Sequence, residues 1–161
     1  MTLIDTLRQA DIFVDLSNTQ LELIASISRE IVFSEGAVIF EENTPGTELY
    51  VIAEGEVWIQ VDPALVTAEA SSGGSKTIAT LRRGQSFGEV AMVDEGLRSA
   101  RARSAKENTR LLVIPRERLI FLCDSYPQLG YRLMRNLAAD LAMKIRSTDL
   151  QVREYLTWLH R

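Results

Sequence analysis

Between residues 31 and 116 the chain is a succession of short β-branched and aromatic runs: AVIF, LYVIAEG, EVWIQV, KTIATL and TRLLVIP. Gly, Asn, Pro or Ser separates each run from the next. This punctuation limits the fold more than any other feature. The runs are too short to be amphipathic helices, and the turn residues between them send the chain back on itself. The segment is therefore expected to be a many-stranded antiparallel β-domain. VTAEASSGGSKT is its most flexible-looking piece, expected to form a hairpin loop between Trp58–Val61 and Thr77–Leu81. The Gly-Gly within it is not a phosphate loop, because no Gly-Lys-Ser/Thr follows at the required spacing.

Both flanks read as helical. Leu3, Ile4 and Leu7 recur at turn spacing, and Ser17 or Asn18 caps a helix carrying Leu21, Leu23, Ile24 and Ile27. From Pro115 the helical period returns. PRERLIFLCDSYPQ reads as one short helix ending before Pro127. A long helix then runs from about Gln128 to His160, with an apolar stripe at Ala138, Leu141, Ile145, Thr148, Val152, Tyr155 and Leu159. Steps of three and four along that stripe are those of a heptad seam. Leu129, Leu133, Leu137 and Leu141 form a face that covers the β-domain, while the seam is expected to meet a second subunit. The chain divides accordingly into a body, residues 1–127, and a C-terminal helix, residues 128–161.

Several function classes are disfavoured. The formal net charge of −4 argues against broad nucleic-acid binding. Residues 128–161 are mildly basic, with six Lys/Arg against three Asp/Glu, as a solvated helix face would be. No run of about eighteen apolar residues suggests a membrane span. MTLIDTLRQADIF lacks the basic start and apolar core of a secretory leader. Cys123 is the single cysteine, so no internal disulfide forms, which fits a reducing cytoplasm. His160 is the one histidine, and no cluster has metal-ligand spacing. Neither a Cys-His nor a Ser-His pairing exists for nucleophilic catalysis. Asp94 and Glu95 are the nearest carboxylate pair, and they read as a solvated loop. The expectation is a non-enzyme without catalytic residues, metal or cofactor.

GQSFGEVAMVDEGLRSARARS, residues 84–104, is the segment with chemistry in it. Gly88 permits a positive φ or a close backbone approach. The residues after it open a single helical turn whose amides suit an anion. Arg98 lies on the run back into a strand, where its forked donors could meet the same anion. A carboxylate at Glu89 would be repelled by that anion unless it turned away or accepted from a neutral donor on the same ligand. A ribose hydroxyl is such a donor. One arginine, one acceptor and backbone amides suit a small, singly charged sugar phosphate. They suit ATP poorly, since no phosphate-loop lysine or magnesium pattern accompanies them.

With these residues in order, residues 10–145 resemble the cyclic nucleotide-binding domain family. Its phosphate-binding cassette stands here as SFGEVAMVDEGLRSARARS. Its second signature stands as EENTPGTELYVIAEGEVWI, with Gly46, Leu49, Tyr50, Ile52, Gly55 and Val57. The resemblance implies a jelly-roll-like eight-stranded β-barrel with helices at both ends, and cAMP or cGMP as ligand. It implies that Arg98 pairs with the cyclic phosphate and Glu89 accepts from the ribose 2′-hydroxyl. Amides near Gly88, Val90 and Ala91, and around Ser99 and Ala100, would complete the cradle, with Phe87 opening the cassette. The Ser99 hydroxyl could reach the phosphate or the amino group of a syn guanine. Leu97 stands in place of the family's usual Pro, and Asn43 in place of a common Gly; Asn tolerates the left-handed conformation. Lys144 and Ile145 fall where catabolite-activator-like relatives place hydroxyl residues against adenine, leaving base preference open. No helix-turn-helix follows the long helix, so direct DNA binding is not expected. The implied role is a stand-alone sensor whose C-terminal helix signals occupancy to a second copy or an effector protein. Two other readings remain: a ligand-free interaction module of the same fold, and a regulatory fragment of a larger transcription regulator or enzyme. Met1 reads as a natural start, whereas YLTWLHR ends in mid-helix.

Overall fold

Local capping sets the first helices. In the computed structural model, which describes residues 2–62, 74–94 and 96–161, helix α1 (Leu3–Gln9) begins at Thr2. The Thr2 hydroxyl accepts from the Asp5 amide while the Asp5 carboxylate accepts from the Thr2 amide. Helix α2 (Asn18–Ile27) repeats this capping box with Ser17 and Gln20, so Ser17 is the cap residue. A 3₁₀ turn (Asp11–Phe13) between the two helices buries Ile12 and Phe13.

Eight strands follow: β1 (Arg29–Phe33), β2 (Val38–Phe40), β3 (Glu48–Glu54), β4 (Glu56–Val61), β5 (Lys76–Arg82), β6 (Ser86–Phe87), β7 (Arg101–Ser104) and β8 (Thr109–Pro115). All pair antiparallel. They form two four-stranded sheets, β1-β8-β3-β6 and β2-β7-β4-β5. Strand number and flanking helices match the expected jelly-roll architecture. The sheets remain two, with no ladder closing them into a barrel among the described residues; β6, at one edge, is only two residues long. The expected hairpin loop between β4 and β5 lies largely outside the described residues, as does Glu95.

Strand alternation explains how the first sheet is buried on both faces. Leu49, Val51, Leu112 and Ile114 pack into the core shared with the helices. Their neighbours Tyr50, Ile52, Leu111 and Val113 pack with Val57, Leu81 and Ala102 of the second sheet. That double burial is why YVIA and LLVI are unbroken apolar runs.

The chain leaves β8 through helix α4 (Arg116–Ser125) and turns into helix α5 (Pro127–Leu159), with Pro127 in its first turn. Leu129, Leu133 and Leu137 are at most 1% exposed and join the helical core. Asn136 Nδ2 donates to the carbonyls of Ile12 and Val14 at 3.0 and 2.8 Å. Beyond Asp140 no residue of α5 is buried, and Ile145, Val152, Tyr155 and Leu159 of the heptad stripe are exposed. Among the described residues no helix is long and apolar enough to cross a membrane.

Candidate ligand site

The cassette is built where three segments meet. Strand β6 places Phe87 flat against Tyr50 of β3, ring centroids 5.0 Å apart and planes within 7°. Phe40 of β2 closes the aromatic cluster at 5.7 Å from Tyr50 and 5.9 Å from Phe87. Phe87 thus anchors the cassette from below. Gly88 then turns the chain at φ +81°, and Glu89 leads into a single turn of helix, α3 (Val90–Val93).

Arg98 reaches back into this cluster. Its Nη1 donates to the Gly88 carbonyl at 3.2 Å and its Nη2 to the Glu48 carbonyl at 2.8 Å. The guanidinium carbon sits 4.2 Å from the centre of the Phe40 ring, a cation–π contact. Burial pulls the Arg98 pKa below its ordinary value, and the neighbouring Tyr50, Glu48 and Glu89 oppose that pull. Arginine nonetheless stays charged. The backbone holds it too: Arg98 N donates to Thr44 O and its carbonyl accepts from Asn43 N. Asn43 adopts the left-handed conformation expected of a glycine substitute, φ +62°. Leu97 bridges to Pro45 and is exposed.

Glu89 is 4% exposed. Its Oε1 accepts from Lys144 Nζ of α5 at 2.7 Å. The same Nζ donates to the Ser86 carbonyl at 2.7 Å and lies 3.0 Å from Asp140 Oδ2, one helical turn back. Burial thus draws two carboxylates and one ammonium together. Glu89 Oε2, Asp140 Oδ2, Arg98 Nε and Ser86 Oγ are all buried without a hydrogen-bond partner among the described residues. Native interiors leave few polar groups in that state, and these stand together at the cassette.

Of the residues expected at the site, the fold brings Phe87, Gly88, Glu89, Arg98 and Lys144 together. Ser99 and Val90 are exposed at its rim and Ala100 is half-buried beside them. Ala91 lies in α3, but its side chain falls outside the described atoms. Ile145 is exposed and outside the cluster. Sequence reasoning missed Asp140, Ser86, Phe40 and the Glu48 carbonyl. Only Asp140 left a readable trace, an acid four residues before a lysine on a helix.

Comparison with known proteins identifies the family. The model of the family described as "Cyclic nucleotide-binding domain" matches residues 30–126. The cyclic AMP receptor protein of Thermus thermophilus is 32% identical over 146 residues, 91% of this chain and 62% of that protein. The crystal structure of a catabolite activator protein from the same organism superposes with a TM-score of 0.73 at 30% identity, covering 91% of this chain and 63% of that one. A cyclic nucleotide-binding domain from Methylobacillus flagellatus gives 0.79 at 25% identity, covering 94% and 82%. The chain therefore spans under two thirds of the Thermus receptor. The matched span runs from β1 through the cassette into α4, and the chain belongs to the cyclic nucleotide-binding domain family.

Proposed function

We propose that the chain is a stand-alone regulatory sensor that binds cAMP or cGMP between the cassette and α5. Arg98 pairs with the cyclic phosphate, and Glu89 accepts from the ribose 2′-hydroxyl. Backbone groups of Gly88, Val90, Ala91, Ser99 and Ala100 line the phosphate, and Leu97 edges the loop. The observation that carries this reading is the opposed pair itself. A buried carboxylate and a buried guanidinium face one cassette, each with an unpartnered polar atom. Arg98 spends two of its five N–H donors on carbonyls, so a phosphate can be held without stripping the arginine from its seat.

Residues 1–127 act as the binding body and residues 128–161 as the output element. The exposed seam from Ile145 to Leu159 is the surface through which a second copy or an effector receives the signal. The ligand acts by favouring the arrangement of α5 that binds it best. A cytoplasmic setting suits a free thiol at Cys123.

Titration calorimetry with cAMP and cGMP tests the reading. Arg98→Ala removes one partner of a buried charged pair, a loss of about 2–5 kcal/mol, or roughly thirty- to several-thousand-fold in affinity. Glu89→Gln keeps a neutral acceptor and costs less, within about 1.5–3 kcal/mol. No heat with either nucleotide, or undiminished affinity in Arg98→Ala, refutes the proposal.

A further inference from the structure

We infer that Lys144 is a positioning residue for the sugar-hydroxyl subsite: it stays on Glu89 when the ligand is bound and aims the free carboxylate oxygen at the ribose. The inference rests on the proposed nucleotide reading and adds a residue and a direction of coupling to it.

Lys144 Nζ has three hydrogens and three oxygen neighbours: Glu89 Oε1 and the Ser86 carbonyl, each at 2.7 Å, and Asp140 Oδ2 at 3.0 Å. Two of its hydrogens are held in hydrogen bonds by Glu89 and Ser86, and the charge is paired with Asp140, so the ammonium is turned toward the protein's own oxygens. Glu89 and Asp140 side chains are 6% and 8% exposed, while Lys144 is 30% exposed. Lys144 therefore compensates two nearly buried carboxylates at once. A ligand that evicted it would leave both charges uncompensated. That loss exceeds what one neutral hydroxyl bonded to a carboxylate returns. Eviction is also unnecessary. Glu89 Oε2 is buried and has no partner among the described residues, and a carboxylate accepts at both oxygens. The hydroxyl therefore docks on Oε2 while Oε1 remains with Lys144.

Two consequences follow. Lys144 orients Glu89, so its effect on affinity passes through the 2′-hydroxyl alone. Because Lys144 belongs to α5, the same bond joins the hydroxyl subsite to the output helix.

The test is a cycle between a protein change and a ligand change. The affinities of wild type and Lys144→Met are measured by calorimetry for whichever of cAMP and cGMP binds more tightly, and for its 2′-deoxy analogue. Wild type should favour the ribonucleotide. Lys144→Met should lose about tenfold of that preference, as expected for partners in one hydrogen-bond network. Its affinity for the deoxy analogue should change less than about twofold, within the noise of non-coupled sites. Lys144→Arg, which restores the cation, should recover the preference and serves if Lys144→Met fails to fold. Tighter ribonucleotide binding by Lys144→Met would make the lysine a competitor and overturn the inference. Equal weakening of both ligands, or an unchanged preference in Lys144→Met with no effect of Lys144→Arg, would make it mere structural support and overturn it too. Wild type that binds but ignores the 2′-hydroxyl refutes the role of Glu89, and wild type that binds neither nucleotide refutes the nucleotide reading itself; either result removes this inference.

Discussion

Gly88→Ala separates the cost of folding the cassette from the cost of emptying it. The residue sits at φ +81°, and a Cβ there would lie 2.7 Å from Arg98 Nη1, 3.1 Å from the Glu48 carbonyl oxygen and 3.4 Å from Tyr50 Cδ2. The left-handed conformation costs a residue with a Cβ about 1–2 kcal/mol. Glu48 O belongs to the central strand β3 and has little room to retreat, whereas Arg98 Nη1 ends a flexible side chain. Arg98 gives way, losing its 3.2 Å bond to the Gly88 carbonyl. Strain and the lost charge-assisted bond together come to about 2.5–5 kcal/mol. Each kcal/mol corresponds to about 2–4 °C of melting temperature in a chain of this size. Displacing the guanidinium should also weaken nucleotide binding about tenfold, the worth of one charge-assisted hydrogen bond at its lower limit. Gly55→Ala is the control. Gly55 is also left-handed, φ +94°, and its Cβ would lie 2.8 Å from Thr109 Cα, a backbone atom. It should lose at least as much stability, yet leave the affinity of the folded protein unchanged. Urea unfolding followed by circular dichroism, with calorimetry on the same samples, reads both quantities. Gly88→Ala with wild-type midpoint and affinity, or Gly55→Ala with the binding loss but no stability loss, would refute the reasoning.

The heptad stripe makes a second prediction. Light scattering should find wild type as a dimer and Ile145→Glu/Val152→Glu as a monomer that still binds nucleotide; equal masses would refute the seam. Cys123 makes a third. Burial, with the charge of Asp124 adding to it, raises its thiol pKa. Less thiolate therefore exists at neutral pH, and a disulfide reagent should react more slowly with the folded protein than with the unfolded chain. Equal rates would refute this.

What could be read from the sequence was what depends on near neighbours. The cap at Ser17 or Asn18 acts within a few residues, and the strands announce themselves by runs bounded by turn residues. Gly88, Glu89 and Arg98 share one short cassette. The partition into two sheets could not be read this way. Strand β8 lies between β1 and β3, each far from it in sequence, and register over such distances is decided by which face is buried. Glu89 and Lys144 are 55 residues apart. Alignment to the family put Lys144 near the ligand but opposite the base. In the structure its ammonium lies on the Glu89 carboxylate, 2.7 Å from Oε1. Phe40 under Arg98 had no trace in the sequence, because an aromatic residue in a strand is ordinarily core.

The attachments of α5 differ in kind along its length, and the difference decides what the helix can report. Up to Leu137 it is held by three leucines with almost no exposure, each contributing roughly 1.5–3 kcal/mol by burial. No single ligand contact competes with that sum, so this half stays docked whatever happens in the cassette. Past Asp140 the described attachments to the body are polar: the bonds of Lys144, then one 3.3 Å hydrogen bond from Gln151 Nε2 to the carbonyl of Ile78. An exposed bond of the latter kind is worth about 1 kcal/mol or less. Past Lys144 the balance between docked and lifted is therefore close, while the ion pairs of Lys144 keep the crossing point on Glu89. Apolar contacts along the full length would make the helix deaf to occupancy. Without Lys144, no contact among the described residues would connect its free half to the carboxylate. Under the proposed function, the change from leucine to lysine where α5 crosses the cassette ties the exposed seam to the sugar-hydroxyl subsite.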